Sequence, residues 1–333
     1  MKKIFCVVLA VTLLLTALAG CGAKAEELKF GSAVYAYYSK AADADGETNG
    51  SGVAVVNAAA VLLDAEGKIV KSVIDCSENT VNYTAEGKAV AAGEFKTKYE
   101  KGKDYGMVAY GNAKLEWFEQ IDAFNKLIAG KTIDEVKALV AETNKGTEEV
   151  TTAGCTIYIA DYVKALEMAV ANAAESKATE KAELKLGLVT TATGTDATEE
   201  KNGSQAVDTT VVAAAVDADG KVIVADTDVA SASFPFDLKG KSTLGENKAI
   251  TTKKVAKENY GMAAYGKDLN GDGTVKEWYE QADAFDAACA GLDKDGIAAL
   301  AIETGYGAEA LQTAGCTIHV SDMVKAAVKA ATV

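Results

Sequence analysis

The chain has 333 residues, and 48 acidic side chains outweigh 34 basic ones for a formal charge of −14. So acidic a molecule is a poor ligand for nucleic acid or anionic lipid head groups. All of its basic residues are lysine, which excludes bidentate arginine clamps on phosphate. The single histidine, His319, leaves no multi-histidine zinc site and argues against a Ser-His-Asp triad.

The chain opens with Met1-Lys2-Lys3 and an apolar run from Ile4 to Leu18. A basic start, a short apolar stretch and small residues are the parts of a secretory signal. The run falls short of the roughly 20 apolar residues a bilayer span needs. The residues Leu18-Ala19-Gly20-Cys21 that follow resemble the lipobox of bacterial lipoproteins. That resemblance implies cleavage after residue 20 and acylation of Cys21, and more than one acyl chain gives a stable membrane anchor. The expected place of the protein is therefore the outer face of the cell membrane, extracytoplasmic. Residues 1–20 form the signal and 21–30 the lipidated cysteine and its tether.

The rest is a duplication. Asn49-Gly50-Ser51 recurs as Asn202-Gly203-Ser204, and Asp64-Ala65-Glu66-Gly67-Lys68 as Asp217-Ala218-Asp219-Gly220-Lys221. Tyr105-Gly106-Met107 recurs as Tyr260-Gly261-Met262, and Glu116-Trp117-Phe118-Glu119-Gln120 as Glu277-Trp278-Tyr279-Glu280-Gln281. Thr152-Ala153-Gly154-Cys155-Thr156-Ile157 recurs as Thr313-Ala314-Gly315-Cys316-Thr317-Ile318. The order never changes, so a whole domain is repeated: 31–175, a connector at 176–183, and 184–333. Each copy is long enough for a core of its own. Cys76, Cys155, Cys289 and Cys316 share only one matched pair of positions, which points to free thiols.

In chain order, Val53 to Leu63 and Lys68 to Ile74 predict a hairpin about Gly67. Thr209 to Val216 and Lys221 to Ala225 predict its copy. A loop carries Tyr-Gly-Met. Trp117, Ile121, Phe124 and Ile128 then line one face of a helix. Thr132 with Glu135 predicts a capped second helix running to Val140. Cys155 to Ile159 alternates as a short strand, followed by a helix from near Asp161 that Ser321 would cap in the second copy. The fold expected is α+β: two tandem copies of one domain, each a small antiparallel sheet with packed helices.

The repeated motifs supply the site candidates. Trp117 and Trp278 suit core packing on a helix face. Tyr105-Gly106 and Tyr260-Gly261 suit either a glycine turn or a ligand-facing aromatic. The Ala-Gly-Cys-Thr stretches combine small residues and a hydroxyl with a nearby helix N-terminus, which favours an anion.

With these motifs the unit resembles the FMN-binding domain of exported flavoproteins, and the arrangement is similar to tandem lipoproteins of extracellular electron transfer. In that family a threonine of a Ser/Thr-Gly-Ala-Thr motif carries FMN through a phosphate ester made by a separate transferase. The resemblance implies acceptors at Thr156 and Thr317 beside Gly154, Gly315, Cys155 and Cys316. Tyr105, Gly106, Tyr260, Gly261, Trp117 and Trp278 would cover the ring. Ala153 and Ala314 stand where the motif has Ser or Thr, and Cys155 and Cys316 where it has Ala. The implied partners are a membrane electron donor and a flavin transferase.

The second copy alone inserts Asp268-Leu269-Asn270-Gly271-Asp272-Gly273-Thr274. Asp268, Asn270 and Asp272, then Gly273 and the Thr274 carbonyl, follow the start of an EF-hand-like calcium loop, with Glu277 and Glu280 near its end. The sequence thus predicts a membrane-anchored flavin carrier that relays electrons and is no enzyme itself. A surface binding or interaction lipoprotein without a redox cofactor is the alternative.

Overall fold

A computed structural model describes residues 25–246, 248–265, 273 and 275–332. The signal, Cys21, Asp268, Asn270, Asp272 and Thr274 lie outside the described residues.

The first repeat opens with three long antiparallel strands, β1 (Lys29–Ala42), β2 (Gly50–Leu63) and β3 (Ile69–Tyr83). Five short or medium helices follow as α1 (Lys98–Lys101), α2 (Met107–Gly111), α3 (Trp117–Ile128), α4 (Ile133–Lys137) and α5 (Glu148–Thr152). Helix α6 (Ala160–Ala171) and the short β4 (Ala174–Glu175) close it. The second repeat again places three long strands before its helices, here with a short strand between: β5 (Glu183–Thr195), β6 (Gly203–Val216), β7 (Val222–Phe236), β8 (Ala249–Ile250) and α7 (Lys253–Ala256). It continues with α8 (Met262–Tyr265), α9 (Trp278–Cys289), α10 (Lys294–Ala298), α11 (Glu309–Thr313) and α12 (Ser321–Ala330). The α+β class, with helices packed on antiparallel sheets, is as the sequence predicts.

The sheet orders are β3-β2-β1-β4 and β5-β6-β7, and β8 of the second repeat pairs with β1 of the first. The period of two explains what the strands do. In β2, Val55, Ala59, Val61 and Leu63 face the helices of their own repeat. The intervening Ala54, Val56 and Ala58 pack with Leu188, Val207, Val211 and Phe234 of the second repeat. Strand β6 does the same, with Val212, Ala214 and Val216 toward its helices. The molecule is therefore four layers deep: helices, sheet, sheet, helices.

The small residues of β2 and β6 let the sheets approach. A Cβ on Gly52 would lie 2.2 Å from the Phe234 ring. Each valine buried at this junction contributes roughly 1.5–3 kcal/mol. Buried hydrogen bonds fix the register between sheets: Asn79 Nδ2 donates to Thr209 Oγ1 at 3.0 Å, and Gln205 Nε2 to the Asn82 and Val90 carbonyls at 2.6 and 2.7 Å. Each repeat has its own helix-side core, but the second core between the sheets belongs to both. Beyond the core expected of each repeat, the fold therefore has this shared layer.

Three local expectations are corrected. Cys155 to Ile159 is no strand; it is a turn with one bridge, Lys145 to Tyr158, and its alternation reflects burial of Cys155 and Ile159 alone. Ser321 is the first helical residue rather than the cap, since Val320 holds that position and the Ser321 hydroxyl donates to the Gly305 carbonyl at 3.4 Å. The helix begun by the Thr132–Glu135 box ends at Lys137, because Val140 bridges to Gly146. No helix among the described residues is long and apolar enough to cross a membrane.

Candidate functional site

The recurring motifs meet at one knot in each repeat. Glu116 precedes α3, whose first N–H groups lack helical partners. Its carboxylate and that of Glu119 form a reciprocal capping box. The same Glu116 carboxylate accepts the N–H groups of Met107 and Val108 at 2.9 and 3.1 Å, which starts α2. Gln120, one turn on, donates Nε2 to the Leu115 carbonyl at 2.9 Å. Its Oε1 accepts from the Thr156 N–H at 2.8 Å and the Thr156 hydroxyl at 3.0 Å. The second repeat copies this: Glu277 holds Met262 and Ala263 at 2.9 and 3.2 Å, and Gln281 holds Thr317 at 2.9 and 3.0 Å.

This geometry gives most of the repeated residues a structural duty. Glu277 and Glu280 form the same box as Glu116 and Glu119 in the copy without the insertion. Both carboxylates thus have a structural duty that does not depend on the insertion. Gly154 and Gly315 have φ of +107° and +100°, where a side chain is strained, so the turn itself requires glycine. Cys155 and Cys316 are buried free thiols, and burial pushes both up to about 11, so neither is a reactive thiolate. Trp117, 2% exposed, packs in the core as expected, with its Nε1 donating to the Tyr162 hydroxyl at 3.0 Å.

A cavity of about 440 Å³ adjoins this knot in the first repeat. Its walls carry Tyr37, Tyr105, Trp117, Tyr158 and Tyr162. It thus unites the Tyr-Gly-Met turn, the tryptophan and the residues just after Thr156. The volume lies in the range of small-molecule sites, which are mostly apolar with a few placed polar groups.

The polar groups are specific. Lys98 projects from α1 with its side chain only 9% exposed, and its Nζ pairs with Glu78 at 2.7 Å. That ammonium also lies 5.3 Å from the Tyr105 ring centroid and 5.8 Å from that of Trp117, within cation–π reach. Burial alone would lower the Lys98 pKa, but the surrounding Cys76, Tyr162 and Glu78 hold it above the usual lysine range. Burial, then the hydrogen bond to Asp161 at 2.8 Å, raises the Tyr37 phenol, which stays protonated as a donor. Burial likewise pushes the Cys76 thiol up to about 12.

The sequence reading missed Lys98, although a signal was present. Thr97-Lys98 recurs as Thr252-Lys253, and Lys253 lies 5.4 and 5.7 Å from the Tyr260 and Trp278 rings. Met262, Ile318 and Asp322 likewise keep Met107, Ile157 and Asp161, while other lining positions change. By strand register and repeat alignment, Thr191 stands for Tyr37, Ser231 for Glu78 and Met323 for Tyr162.

The two parts of a bound FMN fare differently. The first-repeat cavity suits a flat aromatic ring, walled by aromatics and one buried cation. The helix ends expected to hold a phosphate do not suit it. The Ile159 and Ala160 N–H groups already donate to the Asn144 carbonyl at 3.0 and 3.3 Å, and the Val320 N–H to the Gly305 carbonyl at 2.8 Å. The first turns of α6 and α12 carry Asp161 and Asp322, which would repel an anion.

No family model, no curated protein and no solved structure matches the chain.

Proposed function

We propose that the protein is a membrane-anchored, extracytoplasmic flavin carrier that holds one flavin in its first repeat and relays electrons outside the cell membrane. The observation that supports this reading is the aromatic cavity under Lys98. Trp117 and Tyr105 offer faces for a flat ring, and the Lys98 ammonium offers charge to the electron-rich edge of a reduced one. Tyr37 gives its one proton to Asp161, so its phenol oxygen is an acceptor for a ring N–H. FMN when bound would supply the one- and two-electron chemistry, and the protein's part is position and electrostatics. The second repeat closes the sandwich and brings its own lysine–aromatic pair without counterparts of Tyr37, Glu78 and Tyr162.

The test is a titration of the purified mature chain with FMN, followed by flavin fluorescence and intact mass. Quenching that saturates at one flavin per chain supports the reading, whether or not a covalent adduct also forms. A chain that leaves the fluorescence unchanged and carries no flavin from its native export host is the alternative, a surface binding lipoprotein without a redox cofactor. The acidic first turns of α6 and α12 are the observation on that side.

A further inference from the structure

The duplication shows where the two repeats differ in charge. A cleft of about 500 Å³ lies between the repeats. Phe30, Val34, Val224 and Val255 supply its apolar lining, and Ser32, Glu175, Asp226, Lys254 and Lys257 are among its polar lining. The repeat alignment sets Val73 against Asp226, Tyr99 against Lys254 and Gly102 against Lys257. Just behind, Asn125 stands against Asp286. Four neutral positions of the first copy are thus charged in the second, and all four lie at or behind this one cleft.

The charges are arranged. Asp226 accepts from Lys254 and, across the repeat boundary, from the Ser32 hydroxyl. Lys254 is steadied from behind by Asp283 at 2.9 Å and Asp286 at 3.7 Å. A carboxylate has about four acceptor positions, so Asp226 keeps lone pairs for a further donor. Asn172 braces the opposite side by donating to the Ser32 carbonyl at 3.0 Å.

Lys257 is the most telling of the four. Its φ and ψ are 47° and −125°, and Gly102 has 49° and −123° at the same turn of the first repeat. This region costs a residue with a side chain but not glycine. Nothing crowds a Cβ at Gly102, so at that turn of the first repeat the cost of a side chain is one of backbone conformation. Among the described residues Lys257 forms no ion pair. A lysine thus stands where the fold prefers glycine, and it lines the cleft.

We propose that the cleft between the repeats binds a small amphipathic zwitterion of the α-amino-acid class, its ammonium at Asp226, its carboxylate at Lys257 and its side chain against the apolar lining. A simple amine would leave Lys257 unmatched, and a simple carboxylate would face Asp226. The proposal is independent of the flavin reading, since no residue of the cleft lines the aromatic cavity.

Calorimetric titration of the full mature chain with leucine, methionine and phenylalanine tests it, with hexylamine and hexanoate as singly charged controls. The expected result is saturable binding of at least one amino acid, about tenfold or more tighter than either control. Lys257→Gly should weaken that binding by about tenfold while raising the melting temperature, because glycine relieves the turn. Asp226→Asn should weaken binding as well. No heat from any amino acid, equal binding of a control, or a Lys257→Gly chain that binds unchanged or melts lower would each overturn the proposal.

Discussion

Gln120 holds Thr156 through two hydrogen bonds to one oxygen, from its N–H at 2.8 Å and its hydroxyl at 3.0 Å. The relationship is repeated between Gln281 and Thr317, and it ties the last motif of each repeat to the helix begun by the tryptophan. Threonine at these positions thus has a structural duty whatever else it carries. Thr156→Val and Thr317→Val should each cost about 1 kcal/mol, because the glutamine oxygen keeps its backbone donor. Gln120→Ala should cost more, since it strips the Thr156 N–H and the Leu115 carbonyl together. Denaturant melts of the three variants check the ranking.

The Glu116 and Glu277 carboxylates each start two helices. Glu277→Gln should destabilise the protein by about 1–2 kcal/mol, as expected for a lost charged cap. The loss should be the same in calcium and in chelator, because the glutamate is engaged within the fold. A loss seen only with calcium would show Glu277 to act as a metal ligand instead.

Asp286 gives the fold a pH dependence. Burial raises its carboxyl from 3.8 to about 7, against the opposing pull of Lys254. Asp226 also faces it, Asp283 shares Lys254, and the Thr227 N–H donates to it at 2.9 Å. Asp75 and Asp228, equivalent between repeats, are raised by burial to about 6. A raised acid binds more protons folded than unfolded, so its stabilisation is present at low pH and is lost as pH rises through the folded value. The melting temperature should therefore fall by several degrees between pH 5 and pH 7.5. Asp286→Asn, the residue type the first repeat uses at Asn125, should flatten that fall. An unchanged profile in Asp286→Asn would contradict the assignment.

The shared layer between the sheets makes the repeats dependent on each other. Residues 25–175 expressed alone expose Val34, Ala36, Val56 and Ala58, and should associate or melt without cooperativity. Mixing with residues 176–333 should restore a cooperative transition. Sharp, independent melting of each half would show the layer to be dispensable.

The sequence was most legible where periodicity and caps are local. The α3 face, the hairpins about Gly67 and Gly220, and the Thr132–Glu135 box could be read directly. Strands β1 and β5 were not foreseen, because Lys29–Ala42 and Glu183–Thr195 mix small, polar and apolar residues without a clean alternation. Nor was the sandwich: Ala58 to Ala60 reads as one apolar run, and only the partner sheet shows that both of its faces are buried. In the candidate site, Trp117 and Tyr105 were named from their repetition. Tyr37 and Glu78 were not, since they reach the cavity from strands that the repeat does not preserve there.

The most direct measurement of the central claim is the flavin stoichiometry of the mature chain, alone and with the first-repeat cavity altered. Wild type should quench FMN fluorescence with saturation at one equivalent. Tyr105→Ala and Lys98→Met should each weaken that binding by about tenfold or more, as loss of a ring contact or a buried charge implies. Tyr260→Ala in the second repeat should leave it unchanged. A wild-type chain that never quenches, or one that Tyr260→Ala weakens as much as Tyr105→Ala, would contradict a flavin held in the first repeat.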